Sequence, residues 1–517
     1  MGSRREAKGM ALRATISRRL AGETGAVRKD HGGRLRVCLV YPNTYRVGMS
    51  SLGFQAVYHL LNTERDVVCE RAFIPDREDL EDLHRTGEEL VSYESQTPLG
   101  RFDVIAFSVS YELDYVHVAR ALRLAKVSPL AADRGRAEPL VIAGGAAVSI
   151  NPEPLADLVD AVVLGEAEEA VAEAVSAVLR SGGDRAGSLD ALASVGGVYV
   201  PERAAAPPKP RAVRRYIEDL DAWPTHSRLL TREAELGDLF LVEVSRGCAR
   251  RCRFCVTPAC YWPPRWRSAE SVLGAARAGL EHRDAIGLVG AAVSDHPEVD
   301  DIARGVVALG ARLSVSSLRA DSVSDVLLDA LARGGARAIT IAPEAGTERL
   351  RRAIGKPIRD EALADVLARA VRAGLREAKL YFMVGLPGEQ EEDVEAIPAL
   401  VRRLVRGAGL RRATVAAGAF VPKPETPFEG EAMLPARELS RRLRAVRDAL
   451  RAEPRVRLAL ESANWSVIEG VLSRGDRRLG RVIVRAEELG GNLAGWRAAL
   501  AEAGLDLTML IGPRPKG

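Results

Sequence analysis

From about residue 34 the chain alternates short apolar runs with stretches of helical period. L-R-V-C-L-V-Y (35–41) is followed by a turn-rich segment, P-N-T-Y-R-V-G-M-S-S-L-G (42–53), and then by a helical pattern to Leu61. Further apolar runs are D-V-I-A-F-S-V-S (103–110), L-V-I-A-G-G (140–145) and A-V-V-L-G-E (161–166), with helical patterns over Tyr115–Lys126 and Glu168–Arg180. Strands without polar alternation, separated by helices, indicate a parallel sheet covered on both faces. The expectation is a doubly wound, Rossmann-like α/β domain over 34–182. Such sheets take ligands at the carboxyl ends of their strands. Those ends carry Tyr45, Ser108, Ser110, Gly144, Gly145, Gly165 and Glu166.

Residues 183–235 change character, with G-G-D-R-A-G and then A-A-A-P-P-K-P, and read as an extended linker. A second alternation fills 236–430. Its strands are L-F-L-V-E-V-S (239–245), A-I-G-L-V-G (285–290), R-L-S-V-S-S (312–317), A-I-T-I-A (338–342), A-K-L-Y-F-M-V (378–384) and T-V-A-A-G-A-F-V (414–421). A helical pattern follows each of the first five, with Ser268, Ser324 and Asp360 placed as N-caps. This spacing predicts a partial (β/α)6 barrel, in which chemistry sits at strand C-terminal ends. Residues 431–517 read as helices capping that barrel, and 1–33 as a basic, frayed helical extension.

Composition narrows the function classes. The 517 residues are 47% hydrophobic and 28% charged, ordinary globular usage that excludes a disordered chain or a small disulfide scaffold. No apolar run reaches the length of a membrane span. The first residues lack the apolar stretch of a secretory signal, so a cytoplasmic protein is expected. A net charge of +4, spread along the chain, does not announce a nucleic-acid binder. Six cysteines in such a chain argue for a reducing compartment.

Four of those cysteines crowd together. Residues 245–255 read S-R-G-C-A-R-R-C-R-F-C, which places Cys248, Cys252 and Cys255 on the loop after the first barrel strand in a C-x3-C-x2-C spacing. Three thiolates on one short loop can hold three irons of a 4Fe–4S cluster and leave the fourth iron open. A zinc site would call for a second cysteine pair or ligand-spaced histidines. No second pair exists, and His226 and His282 have no such spacing. Cys260 reads as a loop residue, with a fourth-ligand or redox role as alternatives.

The spacing, with Phe254 before the third cysteine, resembles the radical S-adenosylmethionine (SAM) superfamily. The resemblance implies that SAM chelates the open iron and that one electron cleaves it to methionine and a 5′-deoxyadenosyl radical, which takes a substrate hydrogen. It also implies SAM contacts at the strand ends. Gly290 and Ala291 stand at the second strand end, where the family has a Gly-Gly-Glu-like stretch; here it is Gly290-Ala291-Ala292, without the second Gly or the Glu. Ser316 and Arg319 end the third strand, Glu344 the fourth, and Gly385, in G-L-P-G-E, the fifth.

The first domain resembles the cobalamin-binding domains that precede many radical SAM barrels, on Y-P-N-T-Y-R-V-G-M-S-S-L-G, S-V-S-Y-E-L-D-Y, A-G-G-A-A-V-S-I-N-P-E-P and V-L-G-E-A-E. A-P-E-A-G-T-E-R-L-R, K-L-Y-F-M-V-G-L-P and S-R-G-D-R-R-L (473–479) extend the match to a largely uncharacterised branch over roughly 34–480. The resemblance implies a corrinoid held by the seven strand-end residues named above. D-L-H-R-T-G (82–87) matches the D-x-H-x-x-G pattern that gives some cobalamin domains a cobalt-ligating histidine. That pattern belongs directly after the first strand, and His84 lies well beyond it, so His84 reads as part of a surface helix–turn.

The pairing of domains points to a cobalamin-dependent methyltransferase acting on an unactivated carbon. The alternative is a radical SAM rearrangement or cyclisation enzyme whose first domain binds corrinoid without methyl transfer, or none at all. A methylthiotransferase would carry three more cluster cysteines, where only Cys38 and Cys69 stand. The chemistry implies a low-potential electron donor, flavodoxin or ferredoxin. Arg474, Arg477 and Arg478 read as a solvated basic face, with binding of an anionic substrate or RNA as the alternative. Tyr261, Trp262 and Trp266 either line a pocket or pack at an interface.

Overall fold

The computed structural model describes residues 11–207 and 213–514. They form two compact units. One comprises the chain to Ile217 with Ser227–Gly237 and Gly475–Asp506; the other comprises Glu218–His226, Asp238–Arg474 and the residues from Leu507 on. Among the described residues no helix is long and apolar enough to cross a membrane.

The first unit is built on a sheet of order β2-β1-β3-β4-β5-β6. Its strands are β1 (Leu35–Thr44), β2 (Val67–Ile74), β3 (Val104–Ser108), β4 (Leu140–Gly144), β5 (Ala161–Val163) and β6 (Val198–Tyr199). The first five are parallel and β6 is antiparallel. Strand β2 is buried along its whole length, Glu70 and Arg71 included. Those two charges break the apolar run that betrays the other strands. The helix Leu52–Thr63 starts at Ser51, whose hydroxyl accepts from the Phe54 amide at 3.3 Å, and packs with Ala167–Arg180.

Three parts of this unit differ from the sequence expectation. The stretch read as a linker contains the helix Arg185–Ala193, capped by Asp184, and then β6. Beyond it the chain runs beside the end of β5, where Gly165 bridges Arg215. No proline falls before residue 201, so prolines punctuate only the later part of the segment; the A-A-A-P-P-K-P run lies partly outside the described residues. The basic N-terminal segment is not frayed from residue 11 onward. Helix Ala11–Ala21 buries Leu12, Ile16 and Arg19; the first ten residues lie outside the described set. Residues 475–506 belong to the first unit rather than capping the barrel. The reason is an apolar stripe, Leu479, Val482, Ile483 and Ala486, that packs on Tyr115–Leu124, while buried Glu487 accepts from Arg120 and Arg123.

The second unit carries two parallel sheets. One has the order β11-β10-β7 and the other β12-β13-β14-β15. The strands are β7 (Phe240–Glu243), β10 (Ala285–Val289), β11 (Arg312–Val315), β12 (Ala338–Glu344), β13 (Glu377–Val384), β14 (Arg412–Ala419) and β15 (Val456–Leu460). A bridge between Leu318 and Ile341 joins the sheets, which makes an open (β/α) barrel. The six strands read from the sequence are all present. β15 is an addition inside the region expected to be helical: in V-R-L-A-L a single charge, Arg457, interrupts the apolar residues, so the uninterrupted run is only three residues long. A short antiparallel pair, β8 (Ser245–Arg246) with β9 (Arg265–Trp266), closes the loop that carries the cysteines.

Helix caps follow the sequence at Ser268 and Ser324, which accept from the amides of Ser271 and Leu327. At the third position Arg359 occupies the cap, and Asp360 is the first helical residue. Its carboxylate is taken up by Arg351 and Arg403 instead. On β12–β14 one row of side chains, such as Ile341, Leu380 and Val415, is fully buried. The opposite row, with Thr340, Lys379, Tyr381 and Thr414, keeps access to solvent.

Candidate functional site

The cysteine loop begins at Gly247, whose φ is +82° and where a Cβ would sit 2.2 Å from the Tyr261 carbonyl oxygen. Only glycine fits there. Cys248 and Cys255 are half-buried, Cys252 is buried, and all are free thiols. The Cys255 amide donates to the Cys252 carbonyl at 3.1 Å, and the Arg253 amide donates to the Ile354 carbonyl at 2.9 Å. Gly355, with φ +75°, allows close approach: a Cβ there would meet the Arg251 carbonyl at 2.9 Å. Phe254 packs against a buried apolar cluster that includes Leu350, Ile354, Leu386, Phe420 and Phe428. An aromatic before the third cysteine therefore anchors the loop to the ends of the second sheet.

The first half of the loop is held by charge. Arg250 makes a bidentate pair with Asp295 at 2.9 and 3.1 Å and reaches Asp321 at 3.6 Å. Asp321 in turn accepts both hydrogen bonds of the Arg319 fork, at 3.0 and 2.9 Å. The Arg319 amide donates to Ser294 Oγ at 3.1 Å. The loops after β10 and β11 are thus tied to the arc between Cys248 and Cys252 by fork-shaped pairs, the geometrically selective kind. A cavity of about 430 Å³ lies beside Cys248, lined by Gly247, Arg250, Ala292, Ser294 and Asp295 among others. Replacing Arg250 by alanine should loosen this arc. In iron-free protein, alkylation of Cys248 and Cys252 should quicken several-fold while Cys260 stays unchanged, as read by peptide mass spectrometry; equal rates in both proteins would show that the clamp does not order the loop.

Burial pushes the Cys248 and Cys252 thiols up, and at Cys252 the nearby Lys356 and Arg319 pull the other way. Lys356 donates to Glu344 Oε1 at 2.8 Å. Burial raises the Glu344 carboxyl against those same two cations. Glu344 sits at a break in the β12–β13 register with φ +69°, a strained setting for a non-glycine residue. Arg319 thus acts on Cys252 directly, while Glu344 is paired with Lys356, whose charge also acts on Cys252.

The other strand-end candidates have more local reasons. Gly290 lies against β8, where a Cβ would meet Ser245 Oγ at 2.5 Å. Ala291 and Ser316 are exposed. Gly385, φ +83°, donates its amide to Glu389 Oε1 at 2.8 Å, within a turn where a Cβ would meet Leu439 at 2.8 Å. Sequence reasoning missed Lys356, Arg250, Asp295 and Asp321. An available signal was the arginine between two cysteines.

Cys260 is buried and hydrogen-bonded to the Tyr261 side chain. Trp262 and Trp266 are exposed. The solvated reading of Arg474 does not hold: it is buried and donates to the carbonyls of Glu429, Glu431, Leu510 and Gly512. Burial brings its guanidinium down to about 10. Arg477 donates to the Tyr199 hydroxyl at 2.7 Å, and Arg478 pairs with Asp476.

In the first unit the strand ends separate into two groups. Ser108 ends β3 and Ser110 follows it, next to Gly144, which ends β4, and Gly145, close to where the strand order turns back between β1 and β3. There Tyr111 is exposed, and Asn43 donates to Asp114 at 2.8 Å. Gly145 has φ +114°, and a Cβ would lie 2.5 Å from the Val109 carbonyl oxygen, so its backbone freedom is used in the turn itself. Tyr45, Gly165 and Glu166 are committed elsewhere. Tyr45 is buried, stacked on Tyr93 at 5.3 Å beneath Arg19, with its hydroxyl donating to Glu23 at 2.8 Å. Gly165 and Glu166 are covered by 215–217: the Glu166 amide donates to Arg215 at 3.0 Å, and its carboxylate accepts from the Ile217 amide at 2.9 Å. His84 is exposed in the last turn of helix Arg77–Thr86, before the left-handed Gly87.

Two family descriptions match the chain: "Radical SAM proteins, N-terminal" over residues 53–201 and "Radical SAM superfamily" over 242–401. The uncharacterized protein MJ0966 of Methanocaldococcus jannaschii is 30% identical over 454 residues, which cover 86% of this chain and 90% of that protein. The chain belongs to the radical SAM superfamily. Within this radical SAM chain the second match runs from β7 into the helix Glu391–Gly407, and so takes in the cysteine loop, Arg319, Glu344 and Lys356. The first match reaches past β6, through the helix that stands where a linker was expected.

Solved structures share the fold at low identity. The radical SAM methyltransferase TsrM of Kitasatospora setae, with cobalamin and a [4Fe-4S] cluster bound, aligns with a TM-score of 0.54 at 17% identity, covering 78% of this chain and 76% of that one. The cobalamin-dependent SAM radical enzyme OxsB, with aqua-cobalamin and SAM bound, aligns at 0.51 and 14% identity, covering 90% and 70%.

Proposed function

We propose that Cys248, Cys252 and Cys255 hold a 4Fe–4S cluster at which SAM is cleaved, and that the protein is a cobalamin-dependent methyltransferase acting on an unactivated carbon. The observation that carries the first part is the loop itself: three free thiols between β8 and β9, with Arg319, Lys356 and Arg250 gathered around them. The donor set suits a cluster of net negative charge. Burial disfavours free thiolates here, iron binding deprotonates a coordinating thiol, and the surrounding cations offset the charge that results. When bound, the cluster supplies one electron that splits SAM into methionine and a 5′-deoxyadenosyl radical, and a methylated corrinoid supplies the methyl group.

The protein's own part is placement. Phe254 and the Arg250 clamp fix the two halves of the loop, and Gly247 and Gly355 let the backbone pass close to its neighbours. Arg319, beside Cys252, and the Glu344–Lys356 pair offer one cation and one paired carboxylate toward the carboxylate and ribose of SAM. The carboxyl ends of β3 and β4, with Ser108, Ser110, Gly144 and Gly145, are the face offered to a corrinoid. The methyltransferase reading is supported by the fold shared with TsrM and OxsB. A second reading, a radical SAM rearrangement or cyclisation without corrinoid chemistry, is favoured by one observation: Tyr45, Gly165 and Glu166 are used in the chain's own packing.

Anaerobic reconstitution with iron, sulfide and hydroxocobalamin, followed by gel filtration and counting, separates the two. About four irons with one corrinoid per chain support methyl transfer. The same iron content without corrinoid supports the second reading, and the absence of iron removes both. If corrinoid is bound, His84→Ala should leave its absorption spectrum unchanged.

A further inference from the structure

The cysteine loop and the strand before it carry four arginines, and the protein uses them in two ways. Arg246 is paired with Glu243 at 3.0 and 2.9 Å, and Arg250 is clamped by Asp295. Arg251 and Arg253, the two residues that flank Cys252, have no carboxylate partner among the described residues, and both are exposed. Among the described residues their side chains meet aromatic rings and a backbone carbonyl. Arg251 lies over the Trp262 ring at 5.4 Å, and Arg253 lies over Phe428 at 4.5 Å and donates to the Ala353 carbonyl at 3.2 Å. Trp262 is itself 37% exposed and Trp266 40%.

A cation without a carboxylate partner thus stands on each side of buried Cys252, with Trp262 exposed beside it, whereas Arg246 and Arg250 of the same segment are paired. Arginine with tryptophan is the composition of an interaction hot spot. Uncompensated charge there steers a partner of opposite sign.

We propose that Arg251, Arg253 and Trp262 form the docking surface for an acidic, low-potential one-electron carrier protein of the flavodoxin type. The proposal rests on the cluster reading above. One electron leaves the carrier's flavin hydroquinone, which becomes the semiquinone, and the oxidised cluster gains that electron; no bond is made or broken in the transfer. The two arginines adjoin a ligand in the chain, so a carrier bound to them sits at the cluster's own loop. A small reductant such as dithionite has no need of this surface.

The test uses the reconstituted full chain and the variants Arg251→Glu and Arg251→Glu/Arg253→Glu. Formation of 5′-deoxyadenosine is measured against the concentration of photoreduced flavodoxin and, separately, with dithionite. The half-saturating flavodoxin concentration should rise about tenfold or more in the double variant, and the difference from wild type should shrink as salt is raised. Iron content and the dithionite-driven rate should stay within about twofold of wild type. An unchanged flavodoxin dependence overturns the proposal. So does an equal loss with both reductants, which would place the arginines in the cluster site itself. Binding of oxidised flavodoxin to the iron-free chain, followed by flavin fluorescence, gives a readout independent of catalysis: it should weaken on charge reversal. If the substitutions weaken binding of a transfer-RNA pool and leave flavodoxin binding intact, the surface serves nucleic acid and the proposal falls. A wild-type chain that takes up no iron defeats the cluster reading, and the flavodoxin binding measurement then still decides whether the surface docks the carrier.

Discussion

Cys252→Ala is expected to give a folded protein that cleaves no SAM and retains little iron after anaerobic reconstitution. Cys252 is the most buried of the three cysteines, at 8% exposure, and it lies where the two halves of the loop meet. Arg251 and Arg253 on either side are fixed through backbone contacts with Gly355 and Ile354, which do not depend on the Cys252 sulfur. Removing one sulfur from a half-open site therefore costs stability only on the order of 1 kcal/mol. Its effect on the cluster is of another kind, because the remaining two thiols leave an iron without a protein ligand. Cys260→Ala is the matched control, since that thiol is buried outside the triad and bonded to Tyr261. Iron per chain and 5′-deoxyadenosine formed should fall to background in the first variant and hold in the second. Cleavage that persists in Cys252→Ala would sink the assignment of the cluster to this loop.

How much of this was legible before the structure depended on whether a residue's role is written in spacing or in contact. Periodicity located the six barrel strands, because each is a run of apolar residues bounded by turn residues. It missed β2, where Glu70 and Arg71 sit mid-strand and find their partners elsewhere in the chain, Glu70 with His31 and Ser92 and Arg71 with Glu23 and Glu94. It missed β15 for the opposite reason, a strand with one side left open to solvent. The cysteine spacing located the loop, yet the clamp that shapes it was invisible, because Arg250, Asp295 and Asp321 meet only when three strand ends converge. In the first unit, glycine-rich strand ends looked alike in sequence. The structure separates Gly145, used in a turn beside the open face, from Gly165, whose close neighbour is the backbone of Arg215. Backbone crowding of that kind comes from segments distant in sequence, and no local pattern reports it.

Glu70 and Arg71 also lead to the largest expected effect on stability. Arg71 is fully buried and donates to Glu94 Oε1 at 2.6 Å and to Glu23 Oε2 at 2.7 Å, while its ring neighbours are Tyr58 and Tyr93. The Arg71 amide adds a bond to Glu94 Oε2 at 2.7 Å, and the Tyr58 hydroxyl donates to the same carboxylate at 3.0 Å. Burial alone would push the Glu94 carboxyl up; Arg71 opposes that shift. One cation thus serves two buried carboxylates, one from β2's neighbouring loop and one from the N-terminal segment. Arg71→Met fills similar space and removes the charge, leaving Glu23 and Glu94 buried against each other. Breaking a buried ion pair from one side destabilises by roughly 3–5 kcal/mol, a large share of what holds a domain folded. The first unit should therefore unfold at distinctly lower urea in Arg71→Met. The triple variant Arg71→Met/Glu23→Gln/Glu94→Gln, with no buried charge left over, should recover most of the loss. If the single variant loses less than about 1 kcal/mol, the network is not coupled as the distances imply. If the triple variant falls as far as the single one, the hydrogen bonds and ring contacts of Arg71, rather than its charge, hold the N-terminal segment to the sheet.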